Sequence, residues 1–282
     1  MSDQLFIALQ RLAPQHLISR GAGLLASSTN PFIKNTFINW FANKYDIDMR
    51  DAIEQNPEAY ACFNDFFTRA LKPDARPIDT GQSLVSPADG AISQLGTIED
   101  GRIFQAKGQS FTLLELVGGK SEDAELYQDG NFATIYLSPR DYHRVHMPLA
   151  GKLTHMTHIP GDLFSVNTVT AQHVPRLFAR NERVVCHFET ERGPMAVVLV
   201  GAMIVASIYT PWAGIVAPQK KQVRHFNYQE SKTLTLEKGD EMGRFLLGST
   251  AVVLTPKNTL QWHEHLGENS PVRMGQPIAS LI

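Results

Sequence analysis

Three short stretches carry residue types able to do chemistry. The first is RFLLGSTAVVL, Arg244 to Leu254, which reads as a buried β-strand interrupted by Gly248-Ser249-Thr250. Glycine weakens a strand interior and marks a bulge or a close backbone approach. A serine hydroxyl can attack the carbonyl just before it only where the backbone bends, and Gly248, lacking a Cβ, supplies that freedom. The second stretch is VSPADG, Val85 to Gly90, a strand end entering a turn, where Asp89-Gly90 on its own is ordinary turn chemistry. The third is LSPRDYHRVHMPLAG, Leu137 to Gly151. Its Ser138, Pro139 and Asp141 fit N-cap, N1 and N3 and predict a short helical turn. His143 and His146, three apart, would then point the same way. A His pair of this kind also occurs in purely structural roles. An Asp, a His and a Ser can assemble a relay in any chain order, so the sequence permits that geometry without showing it. No serine sits in a G-x-S-x-G elbow, so Ser249 is not presented as in the α/β-hydrolases.

These stretches need a frame to hold them. The first part of the chain, to about Leu71, reads helical. DQLFIALQRLAP places Leu5, Phe6 and Leu9 on one stripe that ends before Pro14. NPFIKNTFINWFANKY starts with Asn30 as N-cap and Pro31 at N1, and Phe37, Ile38, Trp40 and Phe41 make an aromatic surface. A third helix is expected over Tyr60 to Leu71, before KPDARPID forces an extended linker. From Ser83 the pattern changes to short apolar runs between Gly, Pro and Asp, among them ATIYL, RVVCHFET, MAVVLV, MIVASIY and STAVVL. The expected class is α+β, with a helical N-terminal arm and linker over 1–80 and a β-rich, barrel- or sandwich-like catalytic domain over 81–282.

Bulk properties exclude several classes. The chain has 282 residues, 43% hydrophobic and 19% charged, and reads as globular. With 26 basic and 28 acidic residues it has no nucleic-acid footprint. Cys62 and Cys186 allow neither a disulfide framework nor a multi-Cys metal site. GAGLLA at Gly21 to Ala26 matches a dinucleotide pattern, but QHLISR before it is helix-like where a strand is required. His263-Glu264-His265 reads as a solvated face, and His155 and His158 read as structural or surface residues without a nearby ligand, so no metal is expected. No signal peptide is expected. The charge-free run Gly193 to Gln219 is long enough to span a membrane, but its Gly, Ser, Thr and Pro breakers and its Val/Ile enrichment favour buried strands.

Leu247-Gly248-Ser249-Thr250 resembles the LGST self-cleavage motif of the phosphatidylserine decarboxylases. FNDFFTRALKPDARPID (Phe63 to Asp79), SPADG, DYHRVHMP and PGDLFSVN (Pro160 to Asn167) match as well, in the right order. The resemblance runs from about residue 60 to the C-terminus, with the helical arm expected of the bacterial type. It implies a precursor cut between Gly248 and Ser249 into subunits 1–248 and 249–282. Ser249 Oγ would attack the Gly248 carbonyl to give an ester, and β-elimination would leave dehydroalanine. Hydrolysis with loss of ammonia would then leave a pyruvoyl group at residue 249.

By the same resemblance His146 is the base that activates Ser249, Asp89 orients and charges His146, and His143 is the acid/base of decarboxylation. The pyruvoyl group, a covalent cofactor derived from Ser249, would form a Schiff base with phosphatidylserine, releasing carbon dioxide and phosphatidylethanolamine. Ser165 is the candidate head-group contact. The implied partners are phosphatidylserine, an anionic membrane surface and the chain's own subunits. Homo-oligomerisation is left open, and nucleic acid is not among the partners. The implied location is peripheral, on the cytoplasmic face of the inner membrane. Two other readings use the same residues: a serine hydrolase built on Asp89, His146 and Ser249, and a non-catalytic lipid-binding module.

Overall fold

A computed structural model describes residues 3–203, 207–218, 222–229, 234–246 and 249–282. Leu247 and Gly248, half of the expected cleavage motif, lie outside the described residues.

The N-terminal region is helical as expected. Helix α1 spans Asp3–Leu12, α2 Gln15–Ala26 and α3 Pro31–Tyr45. Asn30 caps α3, its Oδ1 accepting from Phe32 N at 3.0 Å and Ile33 N at 3.3 Å, with Pro31 in the first turn. GAGLLA lies inside α2, which removes the strand-to-helix turn a dinucleotide site needs. The helix expected over Tyr60 to Leu71 is shorter. A single 3-10 turn at Pro57–Ala59 precedes α4, Phe63–Phe67. The chain then leaves the helix so that Leu71 can bridge to Ala52, while Phe63, Phe66 and Phe67 are buried.

The β-rich remainder is built on one large antiparallel sheet. Its order runs Arg224–Asn227, Gly151–Ile159, Arg183–Thr190, Gly193–Val200, Ser249–Thr255, Asn131–Leu137, Gly90–Thr97 and Pro271–Val272, and Thr235–Leu236 also pairs with Gly151–Ile159. A four-stranded sheet carries Gly214–Ala217, Ile208–Thr210, Glu241–Phe245 and Arg144–His146. A three-stranded sheet joins Ser83–Val85, Pro277–Leu281 and Leu260–Trp262. The class is α+β, and the large sheet is open at both edge strands, not closed into a barrel.

Both faces of the large sheet are covered. Along Gly193–Val200, Ala196, Val198 and Val200 join the cluster containing Ile38, Phe41 and Phe63. Met195, Val197 and Leu199 join the cluster containing Val145, Ile208 and Phe245. One face therefore packs against the helices and the other against the smaller sheets. A strand buried on both sides reads as a continuous apolar run, the pattern in MAVVLV and AVVL. Among the described residues, the charge-free run from Gly193 holds this strand followed by Ile208–Thr210 and Gly214–Ala217. Among the described residues no helix is long and apolar enough to cross a membrane.

Candidate active site

Ser249 opens the strand Ser249–Thr255, held between Asn131–Leu137 on one side and Gly193–Val200 on the other. Side chains alternate across a strand, so Ser249 shares the face of Ala251 and Val253, the side covered by the four-stranded sheet. Ser249 is fully buried, and its Oγ has no hydrogen-bond partner among the described residues. A buried hydroxyl left unpaired costs about 1–3 kcal/mol. Such a group in an otherwise well-packed core calls for a chemical explanation.

Leu137, the ladder partner of Ser249, leads into the His-bearing stretch. The helical turn expected at Ser138 does not propagate. Asp141 Oδ2 accepts from both Ser138 N and Ser138 Oγ at 2.7 Å, which closes a tight turn. The chain then enters the strand Arg144–His146, paired with Glu241–Phe245. Ladder bonds to that partner replace the i→i−4 bonds a helix would need, and His143 and His146 consequently diverge. His143 packs against Phe67 with ring centroids 3.9 Å apart and the planes tilted by 39°, while His146 stacks on Tyr142 at 5.6 Å.

The tautomers follow from the neighbours. His143 Nδ1 lies 2.8 Å from Asp141 O, and His146 Nδ1 lies 2.7 Å from Gly239 O. A carbonyl only accepts, so each Nδ1 carries the proton and each Nε2 keeps its lone pair. His146 Nε2 faces the Tyr142 hydroxyl at 3.1 Å. His143 Nε2 is buried without a partner. Burial lowers His143 from 6.5 to about 3 and lowers His146 as well, so both rings are neutral.

Asp89 is tied elsewhere. Its carboxylate accepts from Arg76 Nε at 2.9 and 3.0 Å, from Arg76 Nη2 at 2.5 Å and from the backbone of Met274 at 2.9 Å. Arg76 also bonds Asp51 at 2.8 Å. The link from Asp89 to His146 runs through the main chain, His146 N donating to Pro87 O at 2.8 Å, and through the field of Asp89, which favours charge on the ring. Gly90 holds this turn against the large sheet. A Cβ there would lie 2.2 Å from Tyr136 O, so only glycine permits the approach. Arg76, Tyr142 and Gly239 are site neighbours that sequence reasoning missed. KPDARPID reads locally as linker, and only the tertiary fold brings residues 76 and 89 together.

A cavity of about 1130 Å³ lies under α2, lined by Leu17, Leu24, Gly161, Leu163, Glu182 and Leu246 among others. Leu246 is three residues from Ser249. PGDLFSVN supplies one wall. A Cβ at Gly161 would lie 2.2 Å from Arg180 O, so glycine lets this loop lie flat on the segment carrying Glu182. Ser165, from the same loop, is not among the residues lining the cavity. Its Oγ accepts from Gln10 Nε2 at 2.7 Å and its N donates to Gln10 Oε1 at 2.9 Å, which ties the loop to α1. His158, read as structural or surface, is buried and bonds Glu182 at 2.8 Å.

By fold and site, then, this is an α+β protein with a buried serine at the head of a central strand and a large apolar cavity whose lining includes Leu246. Residues 63–280 match the family described as phosphatidylserine decarboxylase, and residues 5–46 match a further family described as PSD. The chain is 59% identical to the phosphatidylserine decarboxylase proenzyme of Bordetella avium, over 99% of this chain and 95% of that one. It is 58% identical to the proteins of the same name from Stutzerimonas stutzeri, over 99% and 95%, and Pseudomonas fluorescens, over 99% of each. The chain belongs to the phosphatidylserine decarboxylase family.

Proposed function

We propose that the chain is a proenzyme that cuts itself between Gly248 and Ser249 and then decarboxylates phosphatidylserine to phosphatidylethanolamine. The observation that carries this reading is the fully buried, unpartnered Ser249 Oγ at the start of a clamped strand. Ser249 Oγ attacks the Gly248 carbonyl carbon. The C–O bond forms and the C–N bond breaks to give an ester, the hydroxyl proton passing by way of a base to the freed nitrogen, and β-elimination of the ester then releases the chain ending at Gly248. His146 is assigned as that base, since its Nε2 holds a lone pair, which here accepts from the Tyr142 hydroxyl. Asp89 supports the resulting imidazolium through its field while Arg76 fixes its position.

The site fits a pyruvoyl group at residue 249. That group ends in a methyl where serine has a hydroxymethyl, and a pocket that leaves the hydroxyl unpaired loses nothing by holding a methyl. When present, the group supplies a ketone that captures an amine and draws off electrons as carbon dioxide leaves. His143 handles the proton. Its Nδ1 is held by Asp141 O, which leaves Nε2 as the atom that carries a proton to the carbon that has lost its carboxylate. This chemistry uses no metal. The apolar cavity accommodates lipid chains, and Gln10 holds Ser165 as the candidate head-group contact at the loop.

Leu12, Leu24 and Phe32 are 83%, 76% and 82% exposed on the arm of residues 1–80, and Trp40 is 51% exposed. Such exposed apolar side chains suit insertion into an anionic lipid surface, with the protein peripheral on the cytoplasmic face of the inner membrane and residues 81–282 carrying the chemistry. The hydrolase and lipid-module readings find no support in the family match.

The test is an intact-mass spectrum of the purified chain, with and without borohydride. Two fragments, 1–248 and a ketone-bearing 249–282 that gains hydrogen on reduction, are expected. A chain of 31.4 kDa that stays whole with serine at 249 overturns the proposal.

A further inference from the structure

Far from Ser249, the large sheet carries a second cluster of ligand-type side chains. His155 and His187 stand opposite each other on Gly151–Ile159 and Arg183–Thr190. Their rings stack at 4.1 Å with an interplanar angle of 11°. Two further short helices lie over this face, α5 at Leu113–Val117 and α6 at Ser121–Glu125, and α6 brings Asp123 down onto the histidines. Asp123 Oδ1 is 3.1 Å from His155 Nε2, and Asp123 Oδ2 is 3.9 Å from His187 Nε2. One ligand atom from each of the three residues lies within 4.8 Å of the others.

Two of these atoms have no hydrogen-bond partner. Asp123 Oδ2 and His187 Nε2 are both buried and unpaired, in residues only 7% and 2% exposed. Their separation of 3.9 Å is too long for a hydrogen bond. Two unpaired buried polar atoms facing each other are costly, and a cation between them would satisfy both.

The outer contacts suit that role. Tyr127 Oη lies 3.0 Å from His187 Nδ1, so it can accept the Nδ1 proton and leave Nε2 as the ligand nitrogen. Thr154 Oγ1 lies 3.1 Å from His155 Nδ1 and donates to His187 O at 3.0 Å. Thr154 therefore accepts from His155 Nδ1 and frees its Nε2 in the same sense. Oxygen partners on the far nitrogen are how metal-binding imidazoles are oriented.

We propose that Asp123, His155 and His187 form a binding site for a zinc-class divalent cation. Two imidazoles and one carboxylate are a common three-ligand set for zinc, with a fourth position for water. The His155 side chain, 23% exposed, marks the side from which water reaches that position. A tetrahedral ion brings its ligand atoms to about 3.3 Å apart, so small side-chain rotations close the site. The ion does not take part in decarboxylation. His187 pairs with Ala196, which pairs with Leu254, five residues along the strand from Ser249, or about 17 Å. Its effect is to pin α6 to the sheet.

The test uses the full chain, stripped with a chelator and titrated with zinc and with cobalt. One zinc bound per chain with micromolar or tighter affinity is expected, together with a raised melting temperature and the visible absorption of tetrahedral cobalt. Asp123→Asn and His155→Gln should each weaken binding at least a hundredfold. His155→Gln, at the exposed rim, keeps the test open if the buried substitution fails to fold. The pair His263, half-buried, and His265, exposed, with ring centroids 5.6 Å apart, is the control. No binding at 100-fold excess zinc overturns the proposal, as does binding that is lost in His263→Gln/His265→Gln and kept in His155→Gln.

Discussion

Ser249 stands directly across the central ladder from Leu137. The strand that begins with the attacking residue thus meets the strand that ends where the His-bearing turn begins. Neither strand is at an edge: Ser249 is paired to Leu137, and from Thr250 onward the strand is paired on both sides and packed on both faces. The hydroxyl has little freedom beyond its own rotation, while the bond it must reach lies just before the ladder.

Ser249→Ala should yield a single uncut chain without decarboxylase activity. Because the hydroxyl is buried and unpaired, its loss should leave stability unchanged or raised by about 1 kcal/mol. Mass spectrometry and urea unfolding check both parts, and a cut alanine variant rules out the serine mechanism.

His143→Gln separates the two reactions. It should cut itself at a normal rate, since His146 serves that step, and should release no carbon dioxide from phosphatidylserine. A variant that stays whole would mean that His143 is needed for self-cleavage and that the roles are misassigned.

The same variant reports on acid stability. His143 titrates at about 3 inside the protein and at 6.5 when unfolded. The unfolded chain therefore binds the extra proton between these values. Stability is fully present above pH 6.5 and falls as the pH drops toward 3, by about 1.4 kcal/mol per pH unit for this one group. Between pH 6.5 and 5 the wild-type protein should lose about 2 kcal/mol more than His143→Gln in urea unfolding. Equal losses would show that the ring is not held neutral.

Arg76→Ala leaves Asp89 as a buried carboxylate with only the Met274 amide beside it. Breaking a pair whose side chains are each 10% exposed should cost about 3 kcal/mol and slow self-cleavage. Adding Asp89→Asn should recover part of the stability but not the cutting. A double variant no more stable than Arg76→Ala would argue against the pairing.

Leu12→Ser/Phe32→Ser removes two exposed apolar side chains from the arm. Each is worth about 2 kcal/mol when transferred from water, so vesicle binding should fall at least tenfold while self-cleavage continues. Unchanged flotation with anionic vesicles would place the lipid contact elsewhere.

Much of this was legible in the residues themselves. Asn30-Pro31 announces α3 because capping is local chemistry, and RVVCHFET coincides with an observed strand because an apolar run bounded by turn residues has few other uses. The LGST, SPADG and DYHRVHMP stretches led to the site by resemblance. Other features depend on long-range pairing. The turn at Ser138 looks helical until Glu241–Phe245 claims the next residues. Arg76 becomes a partner of Asp89 only in the folded chain, and His155 acquires a neighbour from Asp123 through helix α6, which no spacing in the sequence announces.

The middle position of Ser249–Thr255 in the sheet also governs what self-cleavage does to folding itself. Residues 249–282 supply that strand, the central strand and one outer strand of the three-stranded sheet, and the edge strand Pro271–Val272. A severed chain would therefore stay assembled, each piece completing the other's sheets. Its folding equilibrium would change order, however. A precursor unfolds and refolds as one molecule, whereas the cut protein must find its missing strand by collision. Dilution that leaves the precursor untouched would lower the stability of the mature form, and an unfolded mature molecule would have a much lower chance of return. Maturation, on this view, is also a commitment: the protein folds once as a single chain and thereafter persists chiefly because it does not come apart.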